Sequence, residues 1–264
     1  MTTIDHPLRT RLEAGELTLG IGLRLVRSIE IAPLMASAGF DFLFIDREHG
    51  LISEDLAGQI CIAAQAAGIS PIVRVPGFEA HHASRALDAG ALGIVFPHVD
   101  DADTAARLAS HCRYPPEGTR SIAGNLPQLG FRPMPIGDAT RTINQAIQVV
   151  VMVETVEAVR QVHAIAAAPG VDVVLVGTND LSIDLGIPGQ LDHPDLIRAL
   201  EEVLRACREH GKVAGLGGIY QIELMRRCID MGFRWITTGS DLILLYDGAR
   251  TLCETARSID RAGG

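Results

Sequence analysis

The sequence has few aromatic residues, no paired-cysteine motif and no long uncharged apolar run. Aromatic side chains make up 4% of the 264 residues, and no uncharged apolar run reaches the length of a membrane span. The five cysteines are an odd number without a CxxC pair, which favours reduced structural thiols over a disulfide framework. Because no signal-peptide pattern opens the chain, we expect a cytoplasmic protein. The cysteines are Cys61, Cys112, Cys207, Cys228 and Cys253.

Basic residues are also in the minority. There are 23 Lys and Arg against 32 Asp and Glu, which gives a net charge of −9, and no dense basic run occurs. This balance disfavours nonspecific binding to nucleic acid or to an anionic membrane. It still allows a small anionic substrate, because one Arg and one metal ion outweigh the global field at short range.

Apolar residues, by contrast, are plentiful and regularly spaced. They make up 47% of the chain, and eight short runs rich in Val, Ile and Leu predict buried parallel strands. Helical spacing separates most of these runs, which predicts an α/β fold with a single (β/α)8 TIM barrel domain over residues 1–264. A doubly wound open sheet is the alternative fold. The predicted strands are Leu17–Leu25, Asp41–Ile45, Pro71–Val75, Gly93–Val99, Gln148–Val153, Val171–Val176, Lys212–Leu216 and Arg234–Thr238.

Glycines that precede the next strand mark the ends of several predicted helices. One connection, from Tyr114 to about Arg141, is unusually long and contains several Pro and Gly residues. Loops of this length within a compact domain tend to be functional. The predicted helices are Ser53–Ala67, His81–Ala89, Ala102–His111, Val156–Ala168, Pro194–Gly211 and Gln221–Met231.

Two acidic residues close consecutive predicted strands. Glu154 and Asp180 lie at carboxyl ends of strands, where barrel enzymes carry their sites. Neighbouring strands are about 4.8 Å apart, and two carboxylates that close favour a cation between them. Two oxygen-donating side chains with room for substrate suit Mg²⁺, Mn²⁺ or a similar ion. Helix capping is the alternative interpretation for either residue alone.

Arg74 and His49 also belong to predicted strand ends. A buried Arg in an apolar strand needs an anionic partner, so Arg74 either forms a structural ion pair or stabilises negative charge on an enolate oxygen. His49 follows a cluster of acids, and histidine is the residue type most often used as a general acid or base, so His49 is the candidate for that role.

Two further features are less specific. Gly177 and the backbone amides of Thr178, Asn179 and Asp180 lie at a predicted helix start. Amides in this position could bind a carboxylate. Asp88 ends a predicted helix, and such an acid is ordinarily solvated. The Gly-rich segments at 215–218 and 239 do not form a clear phosphate cradle at a helix start, which disfavours a phosphate-binding barrel.

Five segments occur in a specific order along nearly the whole chain. They are GFDFLFIDREHG at 39–50, VRVP at 73–76, YPPEGTRS at 114–121, VET at 153–155 and GTNDLS…LG…G…HP at 177–194. Together they resemble the HpcH/HpaI aldolase family, the class II pyruvate aldolases that include 4-hydroxy-2-oxoheptanedioate aldolase and 2-dehydro-3-deoxyglucarate aldolase. The resemblance implies a (β/α)8 barrel that swaps its last helix between partners and assembles as a hexamer.

The resemblance also implies roles at the metal centre. Glu154 and Asp180 would bind a divalent ion (Mg²⁺, Mn²⁺ or Co²⁺), which a 2-oxo acid chelates through its carboxylate and keto oxygens. Arg74 would steady the enolate oxygen, and the amide near Asn179 would hold the substrate carboxylate. Asp46 matches a residue that orients metal-bound water.

A second set of implied roles concerns proton transfer and specificity. His49 matches the family's base-associated histidine, and Asp88 matches the acid that raises its basicity from a neighbouring subunit. Two departures affect donor and acceptor preference: Met152 replaces a Gln two residues before the metal-binding Glu, and Gly22 replaces a bulky aromatic. With Arg24 two residues further on, this space favours a larger or anionic acceptor aldehyde.

The sequence therefore predicts a metal-dependent aldolase that cleaves a 4-hydroxy-2-oxo acid to pyruvate, or a related 2-oxo acid, and an aldehyde. One alternative keeps the site and condenses oxaloacetate with an acetyl thioester, as a citrate-forming branch of the family does, or decarboxylates oxaloacetate. The other alternative is a non-catalytic barrel that only binds a metal or a small acid. Intact metal, enolate and base positions favour the enzyme.

Overall fold

The computed structural model describes residue 4 and residues 6–262, with side chains as far as residue 259. Eight parallel strands form a closed barrel in chain order, and the eighth strand pairs with the first. This closure confirms the predicted barrel and rules out the open sheet. The strands are β1 (Thr18–Leu23), β2 (Phe42–Asp46), β3 (Ser70–Arg74), β4 (Gly93–Phe96), β5 (Gln148–Val153), β6 (Val173–Gly177), β7 (Val213–Gly217) and β8 (Trp235–Ser240).

Helices cover the outside of the barrel and lie between successive strands, as in a βαβ repeat. In chain order they are α1 (Pro7–Glu13), α2 (Ile31–Ser37), α3 (Glu54–Ala66), α4 (Ala80–Asp88), α5 (Ala102–Cys112), α6 (Ile136–Ala146), α7 (Val156–Arg160), α8 (Val162–Ala167), α9 (Thr178–Asp184), α10 (Pro194–Glu209), α11 (Ile222–Met231) and α12 (Asp241–Ala262).

Three local predictions need correction. The single helix predicted over Val156–Ala168 is two helices, α7 and α8, because the backbone leaves the helical region at Gln161 (φ −91°, ψ 0°). The connection from Tyr114 to about Arg141 is not all loop, since it contains a 3-10 turn at Pro127–Leu129 and the start of α6. The fourth strand ends at Phe96 rather than Val99.

Apolar side chains fill the amino-terminal end of the barrel interior. Inward-facing side chains from the strands form one apolar cluster, in which the Phe42 and Trp235 rings lie 4.2 Å apart. Leu8 and Leu12 of α1 join this cluster and close the bottom of the barrel. A layered, packed interior of this kind leaves space for a ligand only at the carboxyl ends of the strands.

α12 differs from the other helices because many of its large apolar side chains are exposed. It has 22 residues, yet no helix in the described part of the chain is both long and apolar enough to cross a membrane. The swapping of this helix between subunits stays a prediction. Its exposed apolar residues include Leu242, Leu244, Leu245, Tyr246, Leu252 and Ile259.

Candidate active site

A cavity of about 140 Å³ lies at the carboxyl ends of the strands, where barrel enzymes carry their sites. Its small volume suits a substrate of a few carbon atoms rather than a bulky organic cofactor. Of the nine residues predicted for the site, eight line the cavity and Asp88 does not. The eight are Asp46, His49, Arg74, Glu154, Gly177, Thr178, Asn179 and Asp180.

Asp46 and Arg74 form a buried ion pair in the cavity wall. They are the last residues of β2 and β3 and lie opposite each other in the strand register. Nε and Nη2 of Arg74 donate to the two Asp46 carboxylate oxygens at 3.0 and 2.7 Å. Burial alone would raise the pKa of Asp46, but the hydrogen bonds and charge of Arg74 outweigh it and lower this pKa. Arg74 therefore has an anionic partner within its own chain and also lines the cavity, and its action on an enolate oxygen stays a prediction.

The residues after Asp46 turn back over Arg74. The amides of Glu48 and His49 both donate to Asp46 Oδ1 at 3.1 Å. The Glu48 carboxylate then lies 2.8 Å from Arg74 Nη1, and His49 Nε2 lies 3.7 Å from the same carboxylate. The His49 side chain is 54% exposed, so its ring is accessible for proton exchange with a bound molecule.

Glu154 and Asp180 come together at the cavity, as their places at the ends of β5 and β6 predict. Glu154 is 2% exposed, whereas Asp180, in the first turn of α9, is exposed. Burial raises the pKa of Glu154 above its usual value. A hydrogen bond from the His98 amide opposes this shift, and the negative charge of Asp180 adds to it.

The surroundings of these two carboxylates fit a divalent cation. Burial is the main cause of the raised pKa of Glu154, and the negative charge of Asp180 adds to it. A positive ion between the two carboxylates would offset both effects. The Glu154 carboxylate packs directly against the backbone of Gly177, since a Cβ there would overlap Oε1 and lie 2.8 Å from Cγ. The nearby Arg74 donates to Asp46 through Nε and Nη2, and hard oxygen donors such as the two carboxylates suit Mg²⁺ or Mn²⁺.

His98 is a site residue that the sequence reasoning missed. Its backbone amide donates to Glu154 Oε2 at 2.9 Å, and its ring Nδ1 lies 3.2 Å from the same oxygen. Its Nε2 lies 2.9 Å from Glu48 Oε1. The predicted fourth strand ran through His98, although Pro97 before it cannot donate a hydrogen bond inside a sheet. Ending the strand at Phe96 would have placed His98 among the residues at the carboxyl end.

The segment from Gly177 to Asn179 forms the wall beside Asp180. The Thr178 hydroxyl donates to the Gly217 carbonyl at 2.9 Å, which ties the start of α9 to the end of β7. Asn179 is exposed and lies close to Gly218, where an added Cβ would be 3.1 Å from Asn179 Nδ2. The predicted binding of a substrate carboxylate by this segment stays a prediction.

The segment after β1 brings Arg24 to the mouth of the cavity. Asp241, another residue the sequence reasoning did not select, accepts hydrogen bonds from the amides of Arg24, Leu25 and Val26 at 2.7 to 3.0 Å. Arg24 Nε donates to Asp46 at 2.8 Å, and its side chain is 45% exposed. Asp241 thus holds the backbone of this segment while Arg24 lines the cavity. Asp241 begins α12 directly after β8, a position that matches the general rule for strand-end polar residues.

Tyr220 and Met152 also line the cavity. Burial raises the pKa of the Tyr220 hydroxyl, and the positive charges of Arg24 and Arg74 partly oppose this shift. The Met152 sulfur lies 3.9 Å from Arg74 Nη1. A thioether is a weak acceptor and no donor, so this position contributes mainly shape.

Asp88 lies apart from the cavity of its own chain. It ends α4, and one of its carboxylate oxygens lies 2.6 Å from Arg120 Nη2 in the long connection after α5. The Arg120 side chain is fully buried over the Tyr114 ring, while Asp88 stays 36% exposed. Its predicted action on the site of a neighbouring subunit stays a prediction.

The only lysine in the sequence, Lys212, is also remote from the cavity. It precedes β7 at the amino-terminal end of the barrel, where Nζ donates to the Val171 carbonyl at 2.7 Å. An aldolase that forms a Schiff base needs a lysine amine within reach of its substrate. This chain has none there, so carbonyl activation at the cavity requires another electrophile.

Comparisons with known proteins agree with this geometry. The model of the family described as HpcH/HpaI aldolase/citrate lyase matches residues 27–247. A 4-hydroxy-4-methyl-2-oxoglutarate aldolase of Chaetomium globosum is 41% identical over 261 residues, covering 96% of both chains. The solved HpcH/HpaI aldolase from Desulfitobacterium hafniense has a TM-score of 0.90 at 31% identity, covering 95% of this chain and 96% of that one. Citrate synthase SbnG has a TM-score of 0.86 at 30% identity, with 96% and 98% covered.

Proposed function

Because this chain belongs to the HpcH/HpaI aldolase/citrate lyase family and is an aldolase-type carbon–carbon lyase, we propose that it cleaves a 4-hydroxy-2-oxo acid that carries a second carboxylate at C4. A compound such as 4-hydroxy-4-methyl-2-oxoglutarate, named for the relative from Chaetomium globosum, is of this class. Cleavage of its C3–C4 bond yields two molecules of pyruvate. The observation that carries the proposal is Arg24 at the mouth of the cavity.

Glu154 and Asp180 would hold the divalent ion, for which we propose Mg²⁺, Mn²⁺ or Co²⁺. When bound, such an ion supplies a Lewis acid that polarises the carbonyl of the 2-oxo acid. The raised pKa of Glu154 supports this assignment, because a cation at this place would favour the ionised carboxylate.

We assign charge stabilisation, proton transfer and carboxylate binding to protein groups in the cavity. We assign Arg74 to the C2 oxygen, which gains negative charge as the C3–C4 electron pair moves towards C2. His49 would accept the proton of the C4 hydroxyl, because it lines the cavity and imidazole is a common general base in enzymes. We assign the amides of Thr178 and Asn179, next to Gly177, to the C1 carboxylate. Asp46 would act by holding Arg74, to which it is bonded through both oxygens.

Arg24 would bind the carboxylate of the departing fragment. Asp46 anchors its guanidinium at Nε, and the charge of Arg24 partly opposes the rise that burial causes in the pKa of the nearby Tyr220 hydroxyl. Arg24→Ala should raise KM for carboxylated acceptors, such as pyruvate, more than for neutral aldehydes of equal size. The neutral acceptor is the control for indirect damage through Asp46, and equal effects on both acceptors would contradict the assignment.

Proton exchange tests the donor half-reaction without an acceptor. We would strip the protein of metal with EDTA, add pyruvate in D₂O with Mg²⁺, Mn²⁺ or Co²⁺, and follow the methyl protons by NMR. Exchange should require metal and should disappear in Asp180→Asn, whereas Asp192→Asn, an exposed acid on the following connection, should exchange normally. If no metal supports exchange, pyruvate is not the donor.

A second candidate reaction is the condensation of an oxo acid with an acetyl thioester. The likeness to citrate synthase SbnG over nearly the whole chain supports it. We would supply oxaloacetate and acetyl-coenzyme A and measure both free thiol and pyruvate. Thiol release in step with citrate would favour the synthase, whereas pyruvate without thiol release would indicate decarboxylation of oxaloacetate.

We also propose a hexamer in which α12 is swapped between subunits, and a cytoplasmic location. The exposed apolar residues of α12 support the assembly, because a patch of this kind on a soluble domain usually marks an interface. Light scattering would measure the mass in solution. Four of the five free cysteines are buried, which agrees with a reducing compartment.

A further inference from the structure

His98 has a backbone conformation that residues with a Cβ rarely adopt. Its φ of +55° lies in the left-handed region, which costs free energy for any residue other than glycine. Strain of this kind persists where surrounding contacts hold it, and it concentrates at functional sites. The turn follows β4 directly, so His98 lies at the carboxyl end of the barrel beside β5.

This conformation directs two groups of one residue at the same oxygen. The His98 amide donates to Glu154 Oε2 at 2.9 Å, and Nδ1 lies 3.2 Å from that oxygen. The opposite side of the ring, at Nε2, lies 2.9 Å from Glu48 Oε1. Glu48 in turn contacts Arg74 at 2.8 Å. The imidazole of His98 therefore lies between Glu154, one of the two proposed metal ligands, and Glu48, which contacts Arg74.

The two oxygens of Glu154 consequently face different neighbours. Oε2 is held by His98, while Oε1 lies against Gly177 on the side of β6, from which Asp180 follows. A carboxylate that is fixed at one oxygen cannot rotate freely, so its second oxygen is presented in one direction. Partners of this kind around metal ligands commonly change metal affinity by about 10- to 100-fold.

We propose that the imidazole of His98 is a positioning group that orients the Glu154 carboxylate, so that Oε1 faces the metal ion. This inference rests on the proposed metal role of Glu154 and Asp180. His98 does not itself touch the reacting atoms. It affects metal binding only through its contacts with Glu154 and Glu48. A merely structural role would hold the β4–β5 turn in place and would affect folding without a specific effect on metal binding.

Two substitutions separate the ring from the backbone. His98→Gly keeps the amide and adopts the left-handed conformation without strain, so it removes only the imidazole. His98→Asn tolerates the same conformation and restores a short side-chain donor. Asn125→Gly is the matched control, because Asn125 has nearly the same φ of +53° in a loop away from the cavity.

Metal affinity is the readout, measured with Mn²⁺ by electron paramagnetic resonance of the free and bound ion. All variants should carry His163→Ala, because His163, Glu209 and His210 on the outside of the barrel offer ligand atoms within 4.8 Å of one another. Without that cluster, the bound Mn²⁺ signal comes from the proposed site at Glu154 and Asp180. Melting temperatures of the metal-free proteins report any general damage to the fold.

We expect His98→Gly to weaken Mn²⁺ binding by about 10-fold or more, with an altered spectrum of the bound ion and a nearly unchanged melting temperature. His98→Asn should recover part of the affinity, and Asn125→Gly should match the parent. Equal Mn²⁺ affinity in His98→Gly and the parent would overturn the role of His98 and leave the metal site intact. A parent protein that does not bind Mn²⁺ would overturn this inference together with the proposed metal site.

Discussion

Gly177 has no room for a side chain beside Glu154, and Gly177→Ala tests the geometry around that carboxylate. Its φ is −88°, a value that alanine adopts without strain, so the substitution acts only through the added methyl group. An ideal Cβ overlaps Glu154 Oε1 and lies 2.8 Å from Cγ and 3.0 Å from Cδ. The neighbouring β6 backbone is held in the barrel by β5 and β7, so the carboxylate must move.

The required displacement follows from these distances. Ordinary van der Waals contact begins at 3.4 Å, so Cγ must retreat from 2.8 Å by about 0.6 Å and the carboxylate by more. Such a movement disturbs the 2.9 Å hydrogen bond from the His98 amide to Oε2. Misplacement of a catalytic group by about 1 Å can lower the rate by about 10²-fold. We expect a loss of this order in kcat, and metal binding weaker by about 10-fold or more.

The assay combines calorimetric titration with Mn²⁺ and steady-state cleavage at saturating metal. Gly137→Ala is the control, since a Cβ at Gly137, in the first turn of α6, has no neighbour within 4 Å. Gly177→Ala should keep a melting temperature close to that of the parent. Unchanged metal affinity and kcat in Gly177→Ala would refute the inferred packing of Glu154 against β6.

Two further predictions concern stability. Arg74→Ala removes the buried cation of Asp46 and leaves only the half-exposed Arg24 beside it, which should lower the free energy of unfolding by up to about 3–5 kcal/mol. Arg74→Lys should cost less stability and still lower kcat by about 10²-fold. Urea unfolding and kinetics check both, and an Arg74→Ala protein as stable as the parent contradicts the buried pair. Burial lowers the pKa of His6 from 6.5 to about 4, so the stability that its neutral form contributes is complete above pH 6.5 and is lost as the pH falls towards 4. This loss should be about 3 kcal/mol, and His6→Gln should flatten the pH dependence of unfolding over that range.

The fold was predictable from the sequence because its strands are buried on both faces. Short apolar runs such as Gln148–Val153 are too short for a typical helix and favour buried parallel strands, and that strand has the predicted bounds. Most other strands differ by one or two residues at an end, because hydrogen bonds to neighbouring strands decide where pairing stops. Helix α2 (Ile31–Ser37) was not predicted, since it is short and has Pro33 in its first turn, where proline is tolerated.

The candidate site was predictable where polar residues directly follow a strand. Glu154 and Asp180 follow this rule, and the structure brings both to one cavity. His98 escaped notice because it was assigned to a strand. Tyr220 was not predicted as a site residue, because its place in the cavity depends on the path of the connection after β7. No local sequence pattern indicates that path.

Asp88 allows a decisive test of whether neighbouring subunits share a site. It does not line its own cavity, and it is held by Arg120 with part of its carboxylate exposed. Suppose that Asp88 of one subunit contacts His49 of its neighbour. Oligomers mixed from His49→Ala and Asp88→Asn subunits then contain some sites in which both residues are intact. Random mixing in equal amounts makes about a quarter of the sites intact, so two nearly inactive proteins should regain about a quarter of the parent activity after dissociation and reassembly. The asparagine is close in shape to aspartate and keeps a carbonyl oxygen towards Arg120, which limits damage to the fold. A mixture no more active than its separate components would show that Asp88 does not complete the site of another subunit.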